Sequence, residues 1–208
     1  RGGGFILIYD EESGDISAID YRSAAPISST SDLFIREESV VRFGHLVNAV
    51  PGSVAGLLKA HEDHGSLPLV ELLKPAIRLA KDGFEVTHDL NYALEWGKES
   101  MLDNKVSKGK FYNLDEDPIQ IRSTFKQPTL AKTLFKISKK GRDIFYKGEI
   151  AEWISEESLS NGGLITMEDM SSYEAKLREP IETYYRGYRV VTMPPAASGG
   201  LVLLQSLN

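Results

Sequence analysis

The sequence predicts an α+β fold, because helical segments dominate the chain and strand-like runs occur in separated pairs. Several segments carry apolar residues at helical spacing, whereas bulky and aromatic runs lie only near residues 5–21 and 181–194. Strand pairs that do not alternate regularly with helices are typical of an α+β or layered α/β/α arrangement. With 208 residues and 41% apolar side chains, the chain is long enough to bury a core.

Two β-hairpins are predicted. In the first, the runs Phe5–Asp10 and Ile16–Tyr21 flank the turn-forming segment "EESGD". The glycines at positions 2 to 4 precede this hairpin, so we expect a close approach of two backbones or an unusual entry into the sheet. In the second, "IETYYRGYRVVTMP" has strand-like runs on both sides of Arg186 and Gly187.

Helices are predicted between the two hairpins and at the C-terminal end. Pro75 has no N–H to donate, so the second helix should kink or restart there, and Gly83 should end it. Thr166 and Asp169 have the spacing of a capping box. The stretch from Ser100 to Lys126 is polar, and its pattern predicts neither a helix nor a strand. The segments predicted to be helical are "PGSVAGLLKAHEDHG", "PLVELLKPAIRLAKDG", Thr87 to about Glu99, "PTLAKTLFKISKKG", "GEIAEWISEESLSNGG", "TMEDMSSYEAKL" and "SGGLVLLQSLN".

Composition excludes several classes of function. The formal net charge is −6 and no block of lysines and arginines is present, so nucleic acid is not an expected partner. The apolar runs are too short to span a bilayer, so no membrane-spanning segment is expected. Because the chain has no cysteine, it contains no disulfide, thiolate metal site or cysteine nucleophile.

No catalytic residue and no metal ligand emerges from the motifs. His61 and His64 in "HEDH" are three residues apart, whereas the zinc protease pattern requires four. Ser198 in "PPAASGG" lacks the first glycine of a nucleophile elbow, so a close-packed turn between a strand and a helix is the better interpretation. These motifs therefore predict no metal site.

Arg22 in "AIDYRSAAP" has two possible explanations. It follows a strand, small residues leave room around it, and Pro26 fixes the chain beyond it. An arginine in such a position can present a rigid fork of donors to a planar anion. An ion pair with Asp20, or a salt bridge elsewhere, is the alternative, and the local pattern alone favours it.

Eight motifs in order make the sequence resemble a known family. They are "GGGFILIYD", "AIDYRSAAP", "VPGSVAGLLKAHEDHG", "LLKPAIRLAKDGF", "FYKGEIAEWI", "GGLITMEDMSSYEAKLREPI", "YRGYRVVTMPPAASGG" and "LLQSLN". Together they resemble the large-subunit portion of the γ-glutamyltransferases, also called glutathione hydrolases. The similarity is weakest between Ser100 and Lys126. It implies part of a four-layer αββα sandwich of the N-terminal-nucleophile hydrolase type, produced from a precursor that cleaves itself.

The resemblance also implies a function for the complete precursor. An N-terminal threonine of the small subunit attacks γ-glutamyl amides such as glutathione, and water, an amino acid or a peptide then accepts the γ-glutamyl group. The arginine of the family motif D-aromatic-R-x-x-A-P binds the α-carboxylate of the donor, and Arg22 occupies that position. No catalytic residue carries over, and the resemblance implies neither a metal nor an organic cofactor. The family suggests the periplasm or the cell exterior.

Two further expectations concern the extent of the chain and its substrate. Residues 1–208 are expected to form a single partial domain of a longer precursor, with both ends cut within core elements. The fragment alone is expected to be inactive, because the N-terminal threonine that the resemblance implies is not part of it. The small subunit of the same precursor is then its expected partner. A non-catalytic homologue, a poly-γ-glutamate depolymerase and a cephalosporin acylase remain alternatives, since the last two share the architecture.

Overall fold

The structure, a computed structural model, describes residues 2–36, 39–40 and 44–208 and confirms the α+β fold class. Arg1, the first residue of the glycine-rich N-terminal segment, lies outside the described residues. The strands are β1 (Phe5–Tyr9), β2 (Ile16–Asp20), β3 (Ile35–Arg36), β4 (Ser39–Val40), β5 (Phe84–Glu85), β6 (Thr124–Phe125), β7 (Lys176–Arg178), β8 (Ile181–Tyr185) and β9 (Tyr188–Thr192). The α-helices are α1 (Ser53–His64), α2 (Leu69–Asp82), α3 (His88–Trp96), α4 (Lys98–Leu102), α5 (Lys105–Phe111), α6 (Pro128–Tyr146), α7 (Glu149–Ser160), α8 (Met167–Ser172) and α9 (Ser198–Leu207).

The first predicted hairpin is confirmed and forms part of a three-stranded antiparallel sheet. Its strand order is β1-β2-β7, with Ala18 of β2 opposite both Leu7 of β1 and Arg178 of β7. β2 is the central strand, and Ala18 and Ile19 are among the most buried residues of the described chain. Asp20 at its end is only 7% exposed, so the backbone that follows leaves the sheet from a buried position.

The glycines before β1 bring two backbones together, as predicted. A Cβ on Gly3 would lie 2.7 Å from both the Cα of Arg22 and the carbonyl oxygen of Tyr21, distances that real side chains do not tolerate. Gly4 and Tyr21 exchange backbone hydrogen bonds of 3.3 and 3.0 Å. Any side chain at Gly3 would therefore displace the segment that carries Arg22.

The helices around Pro75 depart from the prediction in one respect. α1 ends before Gly65 and α2 ends before Gly83, which has φ +94°, as predicted. α2 continues through Pro75, however, so a restart there is wrong, whereas a kink stays a prediction. The proline removes only its own hydrogen bond to the carbonyl of Glu71, and Glu71 is exposed, so water can satisfy that carbonyl.

The segment without a predicted element contains two short helices and a strand. The predicted helix from Thr87 is α3, whose first turn is capped by the Thr87 side chain accepting from the N–H of Leu90 at 3.2 Å. It breaks at Gly97 and continues as α4. α5 and β6 follow within the polar stretch, where short elements leave no periodic pattern long enough to detect.

The remaining predictions are confirmed, except that the helix predicted over "TMEDMSSYEAKL" ends at Ser172 and the last two residues of that segment belong to β7. α6 leaves helical geometry at Gly141, which has φ +61°, so the predicted terminal glycine interrupts the helix. α7 follows, and the capping box of Thr166 and Asp169 opens α8. β8 and β9 form the second hairpin, with both Arg186 and Gly187 in the left-handed region at its turn.

The described residues group into two compact units. One comprises the described residues within Arg1–Ser66 and Lys140–Asn208, and the other comprises Leu67–Lys139. The core of the first unit is one cluster of buried side chains, Val50, Ala55, Tyr146, Ala151, Ile165, Met170 and Tyr173. The second unit buries its own apolar residues, among them Val86, Leu94 and Phe125. The single partial domain over residues 1–208 stays a prediction.

Candidate functional site: Arg22 and its cavity

Arg22 lies two residues after the end of β2, where the chain leaves the sheet. Its backbone N–H donates to Oδ1 of Asp20 at 3.1 Å, and its carbonyl accepts from the hydroxyl of Tyr173 at 2.8 Å. Both peptide groups of this exposed residue are therefore fixed by side chains from the sheet and from the core. Backbone fixation of this kind sets the direction in which the side chain leaves the chain.

The guanidinium of Arg22 has no carboxylate partner among the described residues. Its Nη1 donates to the backbone carbonyl of Ala196 at 3.0 Å, a neutral acceptor. The expected ion pair with Asp20 is wrong, because Oδ2 of Asp20 accepts from both Nε and Nη2 of Arg178, at 3.2 and 3.0 Å. Sequence reasoning could not foresee this, since Arg178 lies on another strand, 158 residues along the chain.

Arg22 lies in the wall of a cavity of about 640 Å³ within the first unit. This volume is in the range of cavities that bind small molecules. The wall includes a second cation, Lys176, and three acids, Asp20, Asp169 and Glu174. Asp20 is paired with Arg178, and no ion pair joins Arg22 to any of the three acids in the part of the chain that the structure describes.

Asp169 connects this cavity wall to the loop after Arg22. Its Oδ2 accepts from the backbone N–H and the hydroxyl of Thr166 at 2.8 and 2.7 Å, and its Oδ1 accepts from the N–H of Ile27 at 2.6 Å. Burial alone would raise the pKa of Asp169, but these hydrogen bonds hold the pKa below its ordinary value. The carboxylate is therefore ionised at neutral pH and fixes the loop.

Tyr173 is held in a rigid position by the core. It is 6% exposed, and its ring stacks on that of Tyr146 with centroids 5.6 Å apart and planes 10° apart. Its carbonyl accepts from Nη2 of Arg142. Tyr146 is fully buried, which raises its pKa to about 12, and its hydroxyl donates to the carbonyl of Pro51 at 2.7 Å.

Ala196, which accepts from Arg22, is the third residue of a turn over Pro194–Ala197. The N–H of Ala197 donates to the carbonyl of Pro194 at 3.2 Å, and Ala196 has φ +112°. An L-residue in this region is strained by about 1–3 kcal/mol. The predicted close-packed turn in "PPAASGG" is thus present, and its strained peptide faces Arg22. No sequence signal marked Ala196, because glycine is the residue that normally identifies such a turn.

The other candidate residues do not assemble into a site. No group of three or more histidine or acidic side chains that could hold a metal occurs in residues 2–36, 39–40 and 44–208. A second cavity of about 570 Å³ lies beside Lys59 and Arg142. Its cations are engaged, because Lys59 pairs with Asp63 at 2.8 Å and Arg142 lies 5.0 Å from the ring centroid of Tyr146. The absence of a metal or cofactor from the function stays a prediction.

Comparison with known proteins identifies the class of protein that this fold and site define. The family model described as "Gamma-glutamyltranspeptidase" matches residues 2–208. The chain belongs to the gamma-glutamyltranspeptidase family, as its motifs predicted.

Individual relatives agree with this membership. The "Glutathione hydrolase proenzyme" of Escherichia coli strain K12 is 41% identical over the whole of this chain, which spans 36% of that relative. The crystal structure of Helicobacter pylori gamma-glutamyltranspeptidase superimposes with a TM-score of 0.94 at 37% identity, covering 99% of this chain and 60% of the other. Cephalosporin acylase from Bacillus halodurans gives a TM-score of 0.89 at 28% identity, covering 99% of this chain and 40% of the other. The predicted fold, part of an N-terminal-nucleophile hydrolase sandwich, is confirmed by these structures.

In the described part of the chain, every helix is too short or too polar to cross a membrane.

Proposed function

We propose that this chain is a large-subunit segment of a γ-glutamyltransferase that cleaves γ-glutamyl amides such as glutathione. The chain spans little more than a third of its curated relatives, so the remaining parts of the enzyme would come from the rest of the precursor. The small subunit of the same precursor would supply the N-terminal threonine that forms the acyl-enzyme. In this proposal, residues 1–208 supply the scaffold and the donor clamp, by which we mean the side chain that binds the α-carboxylate of the γ-glutamyl donor. The nucleophile lies outside these residues.

The observation that carries the proposal is the unneutralised guanidinium of Arg22. Its backbone is fixed on both sides, only a neutral carbonyl accepts from its side chain, and it borders a cavity of suitable size. Arginine has five N–H donors, so donors remain for a second, charged acceptor. The α-carboxylate of a γ-glutamyl donor is such an acceptor, and the guanidinium would bind it and orient the γ-amide for attack.

The acceptor in the second half of the reaction would be water, an amino acid or a peptide. Water gives hydrolysis, and the amine of the other two gives transfer. The similarity to bacterial glutathione hydrolases supports a location in the periplasm or outside the cell for the complete protein. No metal or organic cofactor forms part of the proposed mechanism.

Replacement of Arg22 in the complete, processed protein tests the clamp. Arg22→Ala should weaken donor binding by about 1.5–3 kcal/mol, the usual contribution of a hydrogen bond to a charged group. This loss corresponds to a rise of roughly 10- to 150-fold in the KM of a γ-glutamyl anilide. Arg22→Lys should recover only part of it, because an ammonium cannot reproduce the two parallel donors of a guanidinium.

A matched control is Arg186→Ala. Arg186 lies in the turn between β8 and β9, is exposed, and contacts only the ring of Tyr185 among the described residues, at 5.1 Å from its centroid. This variant removes the same charge without touching the cavity, so its donor KM should equal that of the wild type. Wild-type kinetics for Arg22→Ala would rule out the clamp.

Cephalosporin acylase and poly-γ-glutamate depolymerase remain the competing enzymatic functions. The structural similarity to cephalosporin acylase of Bacillus halodurans supports the first of them. A glutaryl anilide, which keeps the carboxylate of the γ-glutamyl group but lacks its α-amine, separates this alternative from the proposal. Preference for the glutaryl substrate would favour an acylase, and preference for the γ-glutamyl substrate would favour the proposed function.

A further inference from the structure

The segment Arg22–Ile27 is held at four points by side chains or backbone of the first unit. Asp20 accepts from the N–H of Arg22, and the hydroxyl of Tyr173 donates to its carbonyl. Ala24 and Val50 exchange backbone hydrogen bonds of 3.2 and 2.8 Å. At the far end, Asp169 accepts from the N–H of Ile27. Of these contacts, only those of Asp20 and Tyr173 act on Arg22 itself.

Tyr173 and Asp20 both contact the backbone of Arg22, but they belong to different parts of the structure. Asp20 is the last residue of β2, two residues before Arg22, so its contact is local. Tyr173 is 151 residues away and brings the rigidity of the core to Arg22 through its stack on Tyr146. Gly52 leaves the space that the Tyr173 hydroxyl needs, because a Cβ there would collide with it.

We propose that Tyr173 is a positioning residue that orients Arg22 toward the donor carboxylate by holding its carbonyl. This inference rests on the proposed function, because it explains which side chain holds Arg22 in a fixed orientation for donor binding. Fixing the peptide groups on both sides of Arg22 reduces the conformational freedom that donor binding would otherwise have to remove. Tyr173 need not touch the donor, so its contribution should depend on the presence of Arg22.

The state of the phenol is consistent with this role. Burial, and then the negative charge of Asp20, raise the pKa of Tyr173 above its ordinary value. The hydroxyl therefore keeps its proton at neutral pH and remains a donor to the carbonyl.

The test compares two stacked tyrosines in the complete, processed protein. Tyr173→Phe keeps the stack and removes only the bond to Arg22, so the KM of a γ-glutamyl anilide should rise about 3- to 10-fold, the effect of one neutral hydrogen bond. The kcat should change less than about 2-fold. Tyr146→Phe is the matched control, because its hydroxyl binds Pro51 and Ala55 instead, and it should lower thermal stability without changing the donor KM.

A double-mutant cycle decides whether Tyr173 acts through Arg22. In the Arg22→Ala background, Tyr173→Phe should have no further effect on KM. In the wild-type background it should leave the KM of a butyryl anilide unchanged, because that substrate has no carboxylate for Arg22 to bind. Since KM does not depend on enzyme concentration, it can be measured on the matured fraction even if processing is incomplete. Additive effects, or an unchanged KM for Tyr173→Phe alone, would overturn the positioning role while leaving the clamp intact. An Arg22→Ala variant with wild-type KM would instead remove the clamp itself.

Discussion

At the scale of single residues, the interactions that build the site join distant parts of the sequence. Asp169 shows both what a sequence can and cannot predict. Its spacing from Thr166 predicted the capping box, because that motif is local. Its bond to Ile27 spans 142 residues, and no periodicity or spacing encodes such a contact. Arg22 is the reverse case, because the local pattern favoured Asp20 as its ion-pair partner and the fold gave that carboxylate to Arg178.

The pH dependence of stability in an Asp169→Asn variant should show how much the hydrogen bonds of the ionised carboxylate stabilise the fold. An amide nitrogen cannot accept from Thr166, so we expect a loss of roughly 2 kcal/mol of stability at pH 7. Because the pKa of Asp169 is lowered in the folded state, its contribution is complete above about pH 4, the ordinary value for an aspartate, and disappears as the pH falls through the lower folded pKa. Thermal unfolding midpoints should therefore differ between wild type and variant at pH 5–8 and converge toward pH 3.

Glu168→Gln provides the control for this experiment. Glu168 is the exposed neighbour in the first turn of α8, and the substitution removes the same charge from the same helix. Its unfolding midpoint should stay close to that of the wild type throughout the pH range. An Asp169→Asn difference that persisted unchanged to pH 3 would mean that packing, and not the ionised carboxylate, accounts for the loss.

At the scale of elements, the sequence predicted most helices and both hairpins because their patterns are local. α1 ends at a glycine, the α8 capping box lies within four residues, and "RG" marks the turn between β8 and β9. The continuation of α2 through Pro75 was not predictable from propensity, since the loss of one hydrogen bond is outweighed by the rest of the helix. The pairing of β2 with β7 was also not predictable, because the strands are far apart in the sequence.

Gly52 at the start of α1 tests how closely these elements pack. Its backbone, with φ −101° and ψ −16°, suits any residue, so a substitution is opposed by contacts alone. A Cβ would collide with the hydroxyl of Tyr173 and the carbonyl of Tyr21. Gly52→Ala should therefore destabilise the protein by about 1–3 kcal/mol, the usual effect of overpacking, and should also raise the donor KM.

Gly199→Ala is the matched substitution in α9. A Cβ at Gly199 meets no atom within 4 Å, so only helix propensity should change, which favours alanine by up to about 1 kcal/mol. Thermal unfolding and the donor KM of the two variants can be measured side by side. Equal stability for both would contradict the close approach of α1 to Tyr173 and Tyr21.

At the scale of the whole molecule, the described chain carries a proposed binding residue, Arg22, without an assigned nucleophile. The Arg22 cavity lies entirely within the first unit, and its walls contain no pair of nucleophile and base that the sequence or the structure identifies. A γ-glutamyltransferase whose nucleophile lies in a second subunit explains this division, whereas a non-catalytic homologue would need no nucleophile at all. The two hypotheses therefore differ in whether the complete protein cleaves itself into two subunits.

Maturation of the complete protein distinguishes these hypotheses. The proposed enzyme should separate into two bands on a denaturing gel after self-cleavage, and the mature form should release the aniline from a γ-glutamyl anilide. Replacing the processing threonine by alanine should give one band and no release, which controls for cleavage by contaminating proteases. A wild-type protein that stays as a single band and releases no product would favour a binding or structural role. The contacts of Arg22 do not depend on self-cleavage. If such a protein still bound glutamate, it would have kept the Arg22 binding site while lacking catalytic activity.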